Sequence, residues 1–242
     1  MRSGVAVMDH PIFSESIRRI RRLLGEQQQA DPVLAGQLAA LTPLERDVLE
    51  RCIHSSGDPQ LAVDLRFMPA GIGCVAGGAC GAGAAALAAG EVILTDTAMA
   101  AAAVAPMARR TFGNRVVCVL DWAPDVAPEG STRSAAGMAA ALRELRPGVV
   151  LIGSAPTALE VLLELVTGDG EATSLPAPAL VIGMPVGFVG VAESKRHLAD
   201  SGLAHVRLEG SKGGAGLVAA ACNALLRAAW LQAASAPPFC PG

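Results

Sequence analysis

The sequence has no tyrosine, and aromatic residues make up only 3% of its 242 positions. Proteins that bind single-stranded nucleic acids stack bases on aromatic side chains, so this composition argues against such a function. A basic face is missing as well, because the net charge is −3 at pH 7. Nucleic-acid binders have the opposite charge balance. We therefore expect neither DNA nor RNA as a partner.

Charged residues are also few, at 17%, whereas hydrophobic residues reach 52%. A disordered chain has the reverse balance, and a chain of this length can bury one large core. We therefore expect residues 1–242 to form a single domain. Its two ends, residues 1–11 and 233–242, are predicted to be frayed.

Cysteine pairing and metal-ligand spacing are absent too. The six cysteines show neither CxxC pairs nor regular spacing, which favours free thiols in a reducing cytoplasm. No signal peptide and no metal site are predicted. The uncharged stretch 67–90 is long enough to span a bilayer, but its many glycines disfavour a membrane helix, so we expect no membrane partner.

The first part of the chain shows helical patterns. Residues 12–24 place apolar side chains at helical spacing among arginines, and residues 25–32 have the composition of a loop. Thr42 and Glu45 form a capping box that begins a further helix. That helix is predicted to end near residues 54–57, which include a glycine.

Strands and helices then alternate. The rhythm predicts a three-layer α/β/α fold with a mostly parallel, doubly wound sheet of about five strands and an N-terminal helical lead-in. The predicted strands are 92–95, 116–120, 149–152, 180–182 and 205–208. The predicted helices are 98–107, 133–145, 157–166, 191–201 and 214–231.

Ligands of such sheets bind beyond the carboxyl ends of the strands. This rule predicts that five segments share one edge of the sheet. They are Thr95 with Asp96, the loop ending at Thr132 and Arg133, and residues 153–157, 183–190 and 210–214.

The stretch 183–195 carries the strongest local signal. Its glycines allow sharp turns, and the strand–loop–helix order leaves backbone N–H groups free to bind an anion. Lys195 is predicted to add a mobile positive charge one turn into the helix. The second lysine, Lys212, lies in the glycine-rich loop before the last helix.

Arg133 and His54 are further candidates for chemistry. A cation in the first turn of a helix opposes the helix dipole, so Arg133 is better explained by a bound carboxylate. His54, at a predicted helix end, can share a proton near neutral pH, although such a histidine can equally be a cap. His10, His197 and His205 have no comparable context and are predicted to be structural.

Five segments together resemble the precorrin-8X methylmutase family, which includes cobalt-precorrin-8 enzymes. The segments read Gly-Met-Pro-Val-Gly-Phe-Val-Gly at 183–190 with Ala-Glu-Ser-Lys at 192–195, Ile-His-Ser-Ser-Gly at 53–57, Thr-Arg-Ser-Ala at 132–135, Gly-Ser-Ala-Pro-Thr-Ala-Leu at 153–159 and Gly-Ser-Lys-Gly-Gly at 210–214. The likeness extends from Ile12 to about Leu226. Three positions depart from the family pattern, because Ser154 replaces an asparagine and Ser211 and Ala215 also differ.

The resemblance implies a reaction and a site. The family moves a methyl group within ring C of the precorrin macrocycle and forms hydrogenobyrinic acid in cobalamin biosynthesis, as a cytoplasmic homodimer without a cofactor. It implies His54 as the catalytic acid. It implies as substrate-binding residues Ser16, Arg21, Asp96, Thr132, Arg133, Ser134, Ser154, Pro185, Gly187, Lys195, Lys212 and Gly213.

Two other functions remain open from the sequence. Residues 71–76 match a loose GxGxxA dinucleotide fingerprint, and Asp96 follows at the spacing of a ribose-binding acid, as in a nicotinamide-dependent oxidoreductase. A corrinoid-binding protein without catalytic activity would keep the arginine and lysines but would not need His54. The glycine-rich segment 70–84 reads as an insertion relative to the family, and the resemblance assigns it no role.

Overall fold

The structure, a computed structural model, describes residues 9–68, 77–168 and 175–235. The fingerprint-like residues 71–76 therefore lie outside the described residues. The helices are α1 (Pro11–Ala30), α2 (Pro32–Ala40), α3 (Pro43–Ser56), α4 (Leu61–Asp64), α5 (Gly78–Ala88), α6 (Ala98–Arg110), α7 (Arg133–Glu144), α8 (Pro156–Thr167), α9 (Val191–Asp200) and α10 (Ala215–Ser235). The strands are β1 (Leu65–Phe67), β2 (Ile93–Thr95), β3 (Val116–Cys118), β4 (Val149–Ile152), β5 (Leu180–Gly183) and β6 (His205–Leu208).

The strands form one sheet in the order β1-β6-β5-β4-β2-β3. All neighbours pair in parallel except β1, which runs antiparallel to β6 at the edge. The prediction of a mostly parallel sheet is confirmed. The sixth strand, β1, was not predicted, because the charged Arg66 interrupts the apolar run that the other three-residue strands show.

Helices cover both faces of the sheet. One apolar cluster packs α1, α3, α5, α6 and α10 against strand residues such as Leu151 and Ile182. The other packs α7, α8 and α9 against residues such as Val150 and Val181. Because the central strands are buried on both sides, β4 reads as an unbroken apolar run.

Helix α10 is the central helix of the first face. By length and composition it could cross a membrane, but it packs against α3, α5 and α6 and against the sheet. Its apolar residues are therefore those of a core helix. It extends to Ser235, three residues into the segment 233–242.

The predicted loop at residues 25–32 is wrong. Helix α1 continues to Ala30, and α2 starts two residues later. Asp31 joins the two helices, because its N–H donates to Gln27 O and its side chain accepts from Val33 N at 2.9 Å. Glutamine and alanine are good helix formers, so they continue the helix until an aspartate can cap the next one.

Two smaller predictions also needed correction. The helical pattern places Ile12 on the same side as Ile20, but Ile12 is 72% exposed, whereas Ile17, Ile20 and Leu24 are buried. Strand β3 ends at Cys118 instead of residue 120, because Val119–Trp122 forms a 3-10 turn. By contrast, the capping box of Thr42 and Glu45 is confirmed.

Gly137 tests the packing of α7. A Cβ atom at this position would lie 2.2 Å from the backbone oxygen of Val119, which cannot move as a flexible side chain could. We expect Gly137→Ala to lower the free energy of unfolding by about 1–3 kcal/mol, measured by urea denaturation.

Gly36 is the matched control for this substitution. It lies in α2 with nothing within 4 Å of the added Cβ. Gly36→Ala should raise the free energy of unfolding by about 0.5–1 kcal/mol, because alanine favours the helix. Equal effects of the two substitutions would contradict the close approach at Gly137.

Candidate active site

The loops after β5 and β6 lie side by side at the carboxyl edge of the sheet. Gly214 N donates to Met184 O at 2.9 Å, and Gly187 N donates to Ser211 O at 3.1 Å. A Cβ atom on Gly213 would lie 2.0 Å from Met184 O, so this backbone approach requires glycine there. Pro185, between the two contacts, is buried. The backbone therefore holds both glycine-rich loops in one place.

The loop after β4 joins them through Asp96. This carboxylate is fully buried, and its Oδ2 accepts from Ser154 N at 2.6 Å and from Ala155 N at 2.9 Å. Burial raises the pKa of Asp96. The other oxygen, Oδ1, is buried and has no hydrogen-bond partner within the described residues. Asp96 thus holds the loop in place from beneath it, while Ser154 is exposed.

The start of α7 lies beside the same loop. Thr132 caps α7 by accepting from Ala135 N at 3.1 Å, and its hydroxyl is 2.8 Å from that of Thr157. Arg133 is exposed, and its Nε donates to Pro124 O at 2.8 Å. Ser134 follows, partly buried. The five predicted segments therefore do meet at one edge, with Arg133 at its outer side.

Lys195 differs from the mobile surface charge that the sequence predicts. It is only 1% exposed, and its Nζ donates to Gly210 O at 2.8 Å and to Lys212 O at 2.6 Å. Burial lowers the pKa of Lys195 to about 8. Because the glycine-rich loop after β6 has carbonyl groups turned inward, the ammonium binds protein oxygens there instead of solvent. Lys195 thus fastens α9 to that loop.

Lys212 is also held by protein groups. Its Nζ lies 2.9 Å from Asp58 Oδ2 and 2.9 Å from Asp64 Oδ2, and the two carboxylates raise its pKa. A substrate carboxylate would compete with both of them. The contact has a structural consequence, because Asp58 follows α3 closely and ties its end to the loop after β6.

His54 occupies that end of α3. The side chain is exposed, and Nδ1 lies 2.7 Å from the hydroxyl oxygen of Ser16 on α1. Phe13, one turn earlier on α1, meets the imidazole edge-on with ring centroids 5.1 Å apart. Desolvation, followed by the positive charge of Arg51, lowers the pKa of His54. Both effects favour the neutral imidazole, and Ser16 and Phe13 orient its ring.

Arg21 lies farther along α1 and is paired. Its Nε and Nη2 donate to the carboxylate of Glu50, with distances between 2.8 and 3.0 Å. Glu50 is fully buried, so this pair fixes the packing of α1 on α3. Any ligand contact of Arg21 must use the part of the guanidinium that faces solvent.

The remaining histidines have structural contacts. His10 caps α1 by accepting from Ile12 N, and His197 pairs with Glu160 on the surface. His205 is buried and bonds to Leu203 O. The structural interpretation of all three is confirmed.

The electrostatic character of the edge comes from helix ends as well as side chains. Helices α7, α8, α9 and α10 each begin directly after a loop at this edge. Their first N–H groups and dipoles favour anionic ligands, and Gly190, with φ of 69°, leads into α9 without a side-chain cap. The edge can therefore bind a ligand with several carboxylates.

Comparison with known proteins agrees with this arrangement. The sequence profile of the family described as precorrin-8X methylmutase matches residues 11–228. The chain belongs to this family. A precorrin-8X methylmutase from Pseudomonas aeruginosa is 45% identical over 219 residues, which is 88% of this chain and 93% of the relative.

A second relative carries the cobalt form of the name. The cobalt-precorrin-8 methylmutase from a Synechocystis strain is 33% identical over 231 residues, covering 93% of this chain and 98% of the relative. The crystal structure of a precorrin-8X methylmutase from Thermus thermophilus superposes with a TM-score of 0.71 at 36% identity, covering 91% of this chain and 96% of the other. The family resemblance seen in the motifs is thus confirmed over residues 11–228.

Sequence reasoning missed several residues that shape the site. Phe13 and Arg51 flank His54, and Asp58 and Asp64 hold Lys212. None lies in a glycine-rich motif. The helical spacing of Phe13 with Ser16 and of Arg51 with His54 is a signal that could have found the first two.

The buried ammonium of Lys195 predicts how the free energy of unfolding depends on pH. Between the folded pKa of about 8 and the higher unfolded value, the unfolded chain holds one more proton, so stability rises with pH. In the wild type, the free energy of unfolding should rise by up to roughly 3 kcal/mol between about pH 8 and pH 10.5 because of Lys195. We expect Lys195→Met to remove this rise. Urea denaturation across this range measures it.

Lys212→Met serves as the control. Its two carboxylates raise the pKa of Lys212, so it stays protonated in both states over most of this range. The slope of stability against pH should therefore match that of the wild type. A wild-type slope equal to that of Lys195→Met would show that Lys195 is not desolvated.

Proposed function

We propose that this chain is an isomerase of cobalamin biosynthesis that moves a methyl group within ring C of precorrin-8X and forms hydrogenobyrinic acid. Family membership over residues 11–228 supports the reaction. The observation that supports the assignment of roles is the exposed imidazole of His54, fixed by Ser16 at 2.7 Å. It adjoins an edge rich in N–H donors.

His54 acts in this proposal as the acid. Ser16 can donate to an unprotonated Nδ1, which leaves the proton on Nε2 facing solvent and available to the substrate. A methyl shift needs no nucleophile. The electron distribution of the macrocycle must instead be polarised. A proton on a ring nitrogen, or a hydrogen bond donated to it, has this effect.

The carboxylate fringe of the substrate would be bound by the edge. Arg133 is exposed there, and the starts of α7, α8, α9 and α10 present N–H groups. Ser154 and Thr132 offer hydroxyl groups. In this proposal Lys195, Asp96, Pro185 and Gly213 keep the loops in shape, while Lys212 and Arg21 contribute through the charge of their partly exposed groups.

The oxidoreductase alternative loses its support. The carboxylate of Asp96 is buried and accepts from two backbone N–H groups, so it is not free for a ribose hydroxyl. Strand β1, which precedes residues 71–76, is an antiparallel edge strand, whereas the dinucleotide fingerprint follows a parallel strand. The corrinoid-carrier alternative differs from the isomerase only in turnover.

We further propose a cytoplasmic homodimer that covers the edge of the sheet. Phe188 is 95% exposed and Val189 is 88% exposed at the tip of the loop after β5. Two adjacent exposed apolar side chains beside a ligand edge are typical of a contact surface. Cys52, Cys80, Cys118 and Cys222 are free and buried, which suits a reducing compartment.

Replacement of His54 tests the acid. We expect His54→Ala to slow the formation of the hydrogenobyrinic acid chromophore by about 10²–10⁴-fold, because the proton donor is lost. Visible spectra of purified protein with metal-free and with cobalt-containing precorrin-8 measure the rate and also identify the substrate form.

His197→Ala is the control, because this exposed histidine pairs with Glu160 on the protein surface and its loss should leave the rate unchanged. Equal rates for the wild type and His54→Ala would show that His54 is not the catalytic acid. A wild type that binds hydrogenobyrinic acid but converts neither precorrin form would be a carrier.

Phe188 tests the homodimer. We expect Phe188→Asp to weaken the dimer by about tenfold or more, because a buried unpaired carboxylate is unfavourable in an apolar contact. Light scattering after size-exclusion chromatography at several concentrations measures the association. Val33→Asp, which changes an exposed valine on α2, should leave it intact. A monomeric wild type would refute the dimer.

A further inference from the structure

Arg51 lies near His54 but has no role in the function proposed above. It lies on α3 one turn before His54, so the two side chains are neighbours on the helix surface. Its guanidinium carbon sits 4.6 Å above the centre of the Phe13 ring, and the same ring contacts His54. Arg51 and His54 therefore flank one aromatic side chain at the corner between α1 and α3.

The guanidinium of Arg51 has no hydrogen bond or ion pair to any of residues 9–68, 77–168 and 175–235. The nearby carboxylates are already engaged, because Arg227 Nε donates to Asp9 Oδ1 at 2.7 Å and Arg227 Nη1 lies 3.5 Å from Asp47 Oδ2. Asp9 and Asp47 attract Arg51 through space, while Arg227 repels it. Arg51 is thus a partly buried cation whose donors have no acceptor among the residues that the structure describes.

A partly buried arginine with free donors is rarely left without an acceptor, because desolvation of the cation is unfavourable. Burial lowers the pKa of Arg51, because removing the guanidinium from water disfavours its charged form. Stacking on Phe13 holds the guanidinium plane in place, and a planar fork suits a carboxylate. No described residue supplies that acceptor, which leaves the guanidinium of Arg51 available to an anion from solution.

We propose that Arg51 binds a carboxylate of the macrocyclic substrate, and that the anion docked there sits beside His54. This inference rests on the proposed function, since it names a contact of the same site. The bound carboxylate also offsets the positive charge that Arg51 directs at His54. Substrate binding thereby raises the proton affinity of the His54 imidazole while the macrocycle is bound beside it.

The experiment compares binding of hydrogenobyrinic acid with binding of its fully esterified form, followed by visible spectroscopy. We expect Arg51→Met to weaken binding of the acid by about tenfold or more, because a charge-assisted pair is lost. Binding of the ester should be the same for Arg51→Met and the wild type. Arg115→Met, which removes an exposed arginine at the opposite edge of the sheet, should leave the affinity for the acid unchanged.

A second readout follows the His54 imidazole by NMR. In the wild type the pKa of His54 should rise when hydrogenobyrinic acid binds, and in Arg51→Met it should rise less. Arg51→Lys keeps the charge but loses the fork, so its affinity for the acid should fall between those of the wild type and Arg51→Met. If Arg51→Met does not fold, as judged by circular dichroism, Arg51→Lys decides by the same comparison of acid and ester.

The proposal is overturned if the folded variants bind the acid as the wild type does, or if acid and ester lose affinity equally, which marks a packing role. Either result leaves the isomerase intact when the wild type still converts precorrin-8. If the wild type neither binds the acid nor converts precorrin-8, the proposed function fails and this contact fails with it.

Discussion

Parallel pairing of five strands is the constraint on which the candidate site depends. Each parallel strand must be followed by a crossover helix, so every strand-to-helix loop reaches the same edge. Motifs separated by more than a hundred residues thereby become neighbours. Once the loops meet, backbone contacts such as Gly214 N to Met184 O hold them at fixed distances.

Buried charges then set the shape of that edge. The carboxylate of Asp96 and the ammonium of Lys195 lie under the loops and bind backbone groups there. Each is removed from water and is balanced by hydrogen bonds, so each is sensitive to the exact position of its loop. Residues whose types suggest direct binding thus act one layer below the surface, while Arg133 and Ser154 remain exposed above.

The corner between α1 and α3 follows a different principle. There the helices are joined by side-chain pairs, Ser16 with His54 and Arg21 with Glu50. The imidazole is oriented by the hydroxyl of Ser16 and by a T-shaped contact with the ring of Phe13. The helical lead-in thereby holds an oriented imidazole at the end of α3, which Asp58 and Lys212 connect to the loop after β6.

The sequence by itself determined the alternation of strands and helices, the shared edge and the family, because these depend on local patterns of apolar residues and glycines. Thr42 with Glu45 is such a local signal, and the capping box formed as predicted. Tertiary structure alone decided that Lys195 is buried, that Lys212 is held by Asp58 and Asp64, and that Arg51 stacks on Phe13. Partners and desolvation depend on residues far apart in the chain, and no local pattern records which of them will meet.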